Sequence, residues 1–150
     1  MKKEEGKMKK IICLLAVALM IASVAFAAGK MKIAAKDLPG LKGTWEGTLG
    51  FGVMETGGTS PVKVEILNDT VPVKAKITVK NVPEAVAASY GIQTGQNVAE
   101  GDEGLITSQG TIMWVGPQKN VFELALTGEK KLHFWYYFRG MKGDGTLKKK

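Results

Sequence analysis

The sequence contains few of the residues that most often build metal centres, disulfides and catalytic sites. Its 150 residues include one cysteine, Cys13, and one histidine, His133. A zinc site needs several nitrogen or sulfur ligands, and a Ser-His-Asp hydrolase needs its histidine paired with distant residues. The glycine-bearing stretch "TGGTSP", residues 56–61, lacks the lysine of a phosphate-binding loop. We therefore predict a protein that is not an enzyme and that uses no metal and no cofactor.

The first part of the chain has the pattern of an export signal. Residues 8–10 are basic at two positions, residues 11–22 form an apolar run, and Ala25-Phe26-Ala27 matches the small-x-small cleavage pattern. We predict a signal peptide over residues 1–27, one domain over residues 28–150, and export to a bacterial periplasm or beyond. An uncleaved anchor is the alternative, because residues 11–28 approach the roughly 17–25 apolar residues that span a bilayer. The acidic pair Glu4 and Glu5 also leaves Met8 as an alternative start.

The predicted mature chain has little net charge and no cysteine. Removal of residues 1–27 takes five basic and two acidic residues, which lowers the formal net charge from +7 to +4. Three of the remaining positive charges are the terminal lysines, residues 148–150. The body is thus close to neutral, which argues against a nucleic-acid partner. Without disulfides, the fold depends on burial of apolar surface.

After a short helix predicted within residues 30–36 and ended near Pro39 and Gly40, apolar and polar side chains alternate with a period of two. This period is typical of strands with one buried face. The predicted strands cover residues 44–53, 61–67, 71–79, 104–107, 111–115, 121–127, 131–139 and 143–148. Most connectors are short, and short connectors require antiparallel neighbours. The exceptions are a helix predicted over residues 83–90 and a glycine-bearing polar stretch, residues 92–102, interpreted as a long loop with at most a weak edge strand. The spacing favours an all-β fold, a sandwich or an up-and-down barrel of about eight strands.

The first strand carries a known signature. Its stretch "GTWEGTLG", residues 43–50, resembles the Gly-x-Trp strand of the calycin group, which comprises lipocalins, fatty-acid-binding proteins and avidins. The resemblance implies that Trp45 closes one end of an eight-stranded barrel and is packed by a basic residue from a late strand, for which Arg139 is the candidate. Gly43 and Gly47 are expected to make space for the indole as the strand bends.

The resemblance to avidins does not extend to the residues that bind biotin. The position of the biotin-binding asparagine is occupied by Gly47, and Phe51 replaces a later serine. The lipocalin Thr-Asp-Tyr segment is also missing. The resemblance therefore implies a barrel without naming what it holds.

We predict that the barrel binds a small apolar or amphipathic ligand beneath a lid formed by residues 83–90 and 92–102. The predicted lining consists of Leu49, Val53, Val64, Ile77, Trp114, Phe122, Leu124 and Phe134. The alternative is a solid-cored structural or interaction module that contacts a second copy or an envelope protein through its outer face, including Trp135 and Tyr137. After cleavage no membrane span is expected in either case.

Overall fold

The computed structural model describes residues 31–52, 58–116, 119–138 and 140–150. The predicted signal peptide, residues 1–27, lies outside them, as do Val53 and Arg139. Among the described residues, no helix has the length and apolar character needed to cross a membrane.

The domain is a closed barrel of eight antiparallel strands in sequence order, with β8 pairing back onto β1. The strands are β1 (Gly43–Phe51), β2 (Thr59–Ile66), β3 (Val73–Val82), β4 (Gly95–Ile106), β5 (Ile112–Val115), β6 (Val121–Gly128), β7 (Lys131–Phe138) and β8 (Met141–Lys149). The predicted fold class is confirmed, and the up-and-down barrel rather than the sandwich is the observed form. Because every neighbour in the sheet is also a neighbour in sequence, short connections suffice.

Alternation of side chains places the core inside the barrel. In β2 and β3, Val64 and Ile77 are paired across the strands and are almost fully buried, whereas Glu65 and Lys76 form the next pair on the wet face. The turn between these strands is held by Asn68, whose side-chain oxygen accepts a 2.7 Å hydrogen bond from the Lys74 amide. An asparagine that bonds nearby backbone groups stabilises such a turn.

The N-terminal helix lies later in the chain than predicted. A 3-10 turn, Ala35–Asp37, runs directly into the helix α1, Leu38–Leu41, so Pro39 and Gly40 lie within the helix and do not end it. Proline is tolerated in a first helical turn because the amide that it lacks has no partner there. Leu38 and Leu41 are buried, and they cover the end of the barrel at which β1 begins.

The stretch predicted as a long loop, residues 92–102, mostly belongs to the longest strand, β4. It pairs with β3 from Ala75–Gly101 to Val82–Gly95, with irregular register near both ends. The prediction was wrong because the inward positions of β4 carry small or polar residues instead of bulky apolar ones. Gly101 and Gly104 are small for a reason that the sequence does not display: the Trp114 ring from β5 lies against both.

The helix predicted over residues 83–90 is confirmed as α2, Glu84–Tyr90. Pro83 precedes its first turn, and Gly91 ends it with a positive φ of 62° that a glycine adopts without strain. Since α2 connects β3 to β4, it crosses the barrel end at which β1 finishes. We call this the Phe51 end, and the opposite one the Trp45 end.

Candidate functional site

The Trp45 end of the barrel is closed and solid. The Trp45 indole is fully buried, and its Nε1 donates a 2.7 Å hydrogen bond to the carbonyl oxygen of Leu41 in α1. This bond satisfies the polar edge of a ring that would otherwise be buried unpaired. Trp45 thereby fixes α1 across the barrel end.

A late-strand cation packs over the Trp45 ring, and it is Lys149. The Lys149 ammonium lies 5.6 Å from the indole centroid and also donates a hydrogen bond to the carbonyl oxygen of Gly40. Pairing of β8 with β1 places Lys149 directly opposite Trp45. The predicted partner, Arg139, lies outside the described residues; Phe138 ends β7 and Gly140 precedes β8 at the Phe51 end.

Backbone contacts and angles explain why β1 carries glycine at residues 43 and 47. A Cβ at Gly47 would overlap the carbonyl oxygen of Thr146 in β8, so the two backbones could not approach as closely as they do. Gly43 has a φ of +119°, a conformation that disfavours other residues. Gly47 therefore permits the seam between β1 and β8 that closes the barrel, and Gly43 begins β1 in a conformation that other residues rarely adopt.

Of the predicted lining residues, three lie in packed core. Val64 and Leu124 have no exposed surface. Trp114 is 2% exposed, and its Nε1 donates a 2.8 Å hydrogen bond to the carbonyl oxygen of Val73, which holds the ring across the inner face of β4. These residues fill the barrel instead of lining a space.

The other half of the barrel contains a cavity of about 360 Å³. Four predicted residues, Leu49, Ile77, Phe122 and Phe134, are among those that line it, while Val53 lies outside the described residues. The remaining lining residues are Phe51, Val79, Gly91, Ile92, Gln93, Gln96, Asn97, Val98, Ala99, Asn120 and Tyr136.

Aromatic rings form much of the cavity wall. Phe122 stacks on Phe134 with centroids 6.1 Å apart and on Tyr136 at 5.1 Å. Such stacked rings present a flat and stiff apolar surface to the space between them and β3. The lining combines these apolar rings with the amide side chains of other lining residues.

The cavity opens beside β4, where the barrel wall is incompletely paired. β4 has twelve residues and β5 has four, and the two strands share only the pairs Leu105–Met113 and Ile106–Ile112 among the described residues. The earlier part of β4 therefore lacks a β5 neighbour. Its residues Gln96, Asn97 and Val98 line the cavity together with Asn120, which comes just before β6.

The rim carries neutral amides that the sequence analysis did not identify. Asn97 is already engaged with the backbone of Gln93: its oxygen accepts from the amide nitrogen at 2.8 Å, and its nitrogen donates to the carbonyl oxygen at 2.5 Å. Gln93 and Gln96 are exposed. Amides in a presumed loop give no pattern that separates rim residues from ordinary surface, so no sequence signal indicated them.

The helix α2 covers the Phe51 end through Tyr90. The Tyr90 ring is fully buried, edge-on to Phe51 at 5.0 Å and stacked on Tyr136 at 5.9 Å. Its hydroxyl donates a 2.9 Å hydrogen bond to the carbonyl oxygen of Lys142 in β8. This bond joins the helix to the strand on the opposite side of the opening.

The tyrosines at this end stay protonated at ordinary pH. Burial raises the pKa of the Tyr136 hydroxyl; a hydrogen bond with the Asn120 side chain opposes this effect, and the nearby Tyr90 adds to it. Burial likewise raises the pKa of Tyr90, against the opposing hydrogen bond with the Gly52 backbone. The cavity wall therefore gains no negative charge from these groups near neutral pH.

The outer face of β7 carries a separate cluster. His133 lies 3.1 Å from a carboxylate oxygen of Asp144 and 4.4 Å from the Trp135 ring, measured between centroids. Lys142 lies over Trp135 at 5.7 Å, and the indole is 8% exposed. Trp135 is thus largely covered within its own chain.

In the described ranges, no group of three or more histidine, cysteine or acidic side chains is arranged to hold a metal ion.

Comparison with known proteins adds a resemblance in fold. The solved structure of a redesigned β-barrel is similar to this chain, with a TM-score of 0.48 and 18% sequence identity over 81% of this chain and 99% of that one. No protein-family model and no curated protein matches the sequence.

Proposed function

We propose that this protein binds one small apolar or amphipathic molecule inside the barrel and is not an enzyme. The observation that carries the proposal is the cavity of about 360 Å³ between the rings of β6 and β7 and the inner faces of β3 and β4. Ligand sites in proteins occupy roughly 300–1,000 Å³ and are mostly apolar with a few polar groups. The cavity falls at the small end of that range.

The division of the barrel into a solid half and a hollow half supports this proposal. Burial of apolar side chains at the Trp45 end stabilises the fold. The fold therefore does not require side chains to fill the Phe51 end. Transfer of apolar ligand surface out of water contributes about 25 cal/mol per Å². A preformed cavity adds little ordering cost to binding, because the rings are already held by their neighbours.

We also propose that the barrel is calycin-like. A buried tryptophan on the first strand and a cation from the last strand over the indole agree with what the resemblance implies. The cation over the indole in the described part of the chain is Lys149. Together with the predicted signal peptide, this favours an exported carrier or receptor of a small molecule, acting in the periplasm or outside the cell.

Uptake of a neutral fluorescent probe tests the binding proposal. N-phenylnaphthylamine, whose emission rises in apolar surroundings, should bind the purified domain with saturation at one probe per chain. Ala99→Phe, which adds a ring at a lining position, should abolish the signal. Glu100→Phe is the matched control, because the neighbouring residue of β4 is exposed and is not among the lining residues. It should bind the probe as the unsubstituted protein does.

The opposite results would reject the proposal. If the folded protein takes up no probe, or if Ala99→Phe binds it unchanged, the cavity is not a binding site. The solid-cored interaction module would then be favoured, and sedimentation would be the next measurement, with Trp135→Ala as the variant that weakens self-association.

A further inference from the structure

The described part of the cavity wall carries no formal charge. None of the described lining residues is a lysine, arginine, histidine, aspartate or glutamate. We propose that the ligand is an uncharged amphiphile, with an apolar body against the rings and a hydroxyl or amide group at the rim, and that fatty-acid carboxylates are excluded. This proposal rests on the proposed function and names the chemical class of ligand for the same cavity.

The cost of desolvation determines the proposed selectivity for neutral over ionised ligands. An ionised carboxylate that leaves water needs a cation or several strong donors, and without them its burial is costly. Burial of a hydroxyl or amide group costs much less free energy, because one or two neutral hydrogen-bond partners replace its bonds to water. With no cation among its described residues, the wall discriminates against the anion and accepts a neutral ligand with the same chain.

The rim supplies partners suited to a neutral polar group. The side chains of Gln93 and Gln96 are exposed at the opening, and each presents both donors and an acceptor. Asn97 is occupied with the Gln93 backbone and holds this part of the rim in place. The polar group of the ligand is thus expected beside β4, with its apolar body pointing toward Phe122 and Phe134.

The titratable side chain of the described cavity lining and the tyrosine packed on it stay protonated near neutral pH. Tyr136 is the titratable side chain among the described lining residues, and Tyr90 packs against it from α2. Burial raises the pKa of both hydroxyls above their ordinary value of 10.0. These two hydroxyls therefore add no pH dependence to binding near neutrality.

Decanol and decanoate form the test pair, because they share a chain length and differ in charge. Each displaces N-phenylnaphthylamine from the purified protein in a competition titration. At about pH 8, where the acid is ionised, decanol should bind at least about tenfold more tightly than decanoate. Lowering the pH toward the pKa of the carboxylic acid should narrow this difference, since the protonated acid is neutral. Equal affinities at about pH 8 would overturn the inference.

A charge-introducing variant provides a second readout. Gln96→Arg places a cation at the rim and should raise the affinity for decanoate about threefold relative to the affinity for decanol. Thr48→Arg is the control: it adds the same charge at an exposed position of β1 that is not among the lining residues, and it should leave both affinities unchanged. No gain in Gln96→Arg, or an equal gain in Thr48→Arg, would count against the proposed selectivity.

The two proposals fail in different ways. Probe uptake with equal displacement by decanol and decanoate rejects the uncharged ligand and leaves the binding function standing. Absence of probe uptake rejects the binding function, and the ligand class falls with it.

Discussion

At the scale of single residues, closure of this barrel depends on positions where a side chain is missing. Gly47 and Gly145 lie on the two strands of the closing seam, and a Cβ at either would overlap a carbonyl oxygen of the other strand. Glycine at such a site lowers intrinsic strand stability but allows the backbones to approach. Glycine at these two seam positions is favourable because large side chains from other positions can then fill the barrel interior.

Gly47→Ala should destabilise the protein by about 2–3 kcal/mol, since the added methyl group meets backbone that cannot move aside. Gly50→Ala is the matched control on the same strand. Its Cβ would lie 3.5 Å from the carbonyl oxygen of Asp144, an ordinary contact, so its stability should change by less than about 1 kcal/mol. Urea unfolding followed by tryptophan fluorescence measures both. Equal stabilities of the two variants would contradict this account of the seam.

At the scale of elements, the helix α2 behaves as a cover with one polar attachment. Its buried face contributes Val86, Ala87 and Tyr90, and the Tyr90 hydroxyl bond to the Lys142 carbonyl crosses the opening. The helix has seven residues, too few for stability without tertiary contacts. Its order therefore depends on the rings beneath it.

Tyr90→Phe should loosen this cover without unfolding the barrel. Loss of a net hydrogen bond costs about 1 kcal/mol, which corresponds to about fivefold faster hydrogen exchange at amides of α2 that exchange by local opening. Tyr137→Phe, on the outer face of β7, is the control and should leave exchange in α2 unchanged. Unaltered exchange in Tyr90→Phe would show that apolar packing alone holds the helix.

At the scale of the whole molecule, stability should fall at high pH because buried tyrosines resist ionisation. The pKa of Tyr136 is raised in the folded state by burial, while in the unfolded chain it lies near the ordinary 10.0. Below pH 10.0 both states are protonated and this residue has no effect on the pH dependence. Above it the unfolded chain loses the proton first, so the free energy of unfolding decreases.

Tyr136→Phe should therefore show a shallower loss of stability above pH 10 than the unsubstituted protein, once both are normalised to their values near neutrality. Urea midpoints recorded across that range measure the difference. Parallel curves would mean that Tyr136 does not contribute to alkaline destabilisation.

The sequence predicts the fold of this molecule better than its site. The strands are predicted by the period of two and by the turn residues, and α2 is predicted by Pro83 at its start and Gly91 at its end. All of these signals are local in sequence. The sequence pattern assigns most of β4 to a loop, because its inward glycines pack against Trp114, a contact between separate strands that the local sequence does not show. The same limit applies to the site: alternation identifies Leu49, Phe122 and Leu124 as inward, but only packing distinguishes a cavity wall from a filled core.

A crystal structure of the protein soaked with bromodecanol measures the central claim most directly, because anomalous scattering from bromine locates the apolar end of the ligand. The account predicts one bromine site inside the barrel near Phe122 and Phe134, with the hydroxyl group beside Gln93 and Gln96. Bromine on the outer face, or a barrel in which Phe122 and Tyr136 fill the space and exclude the ligand, would contradict it.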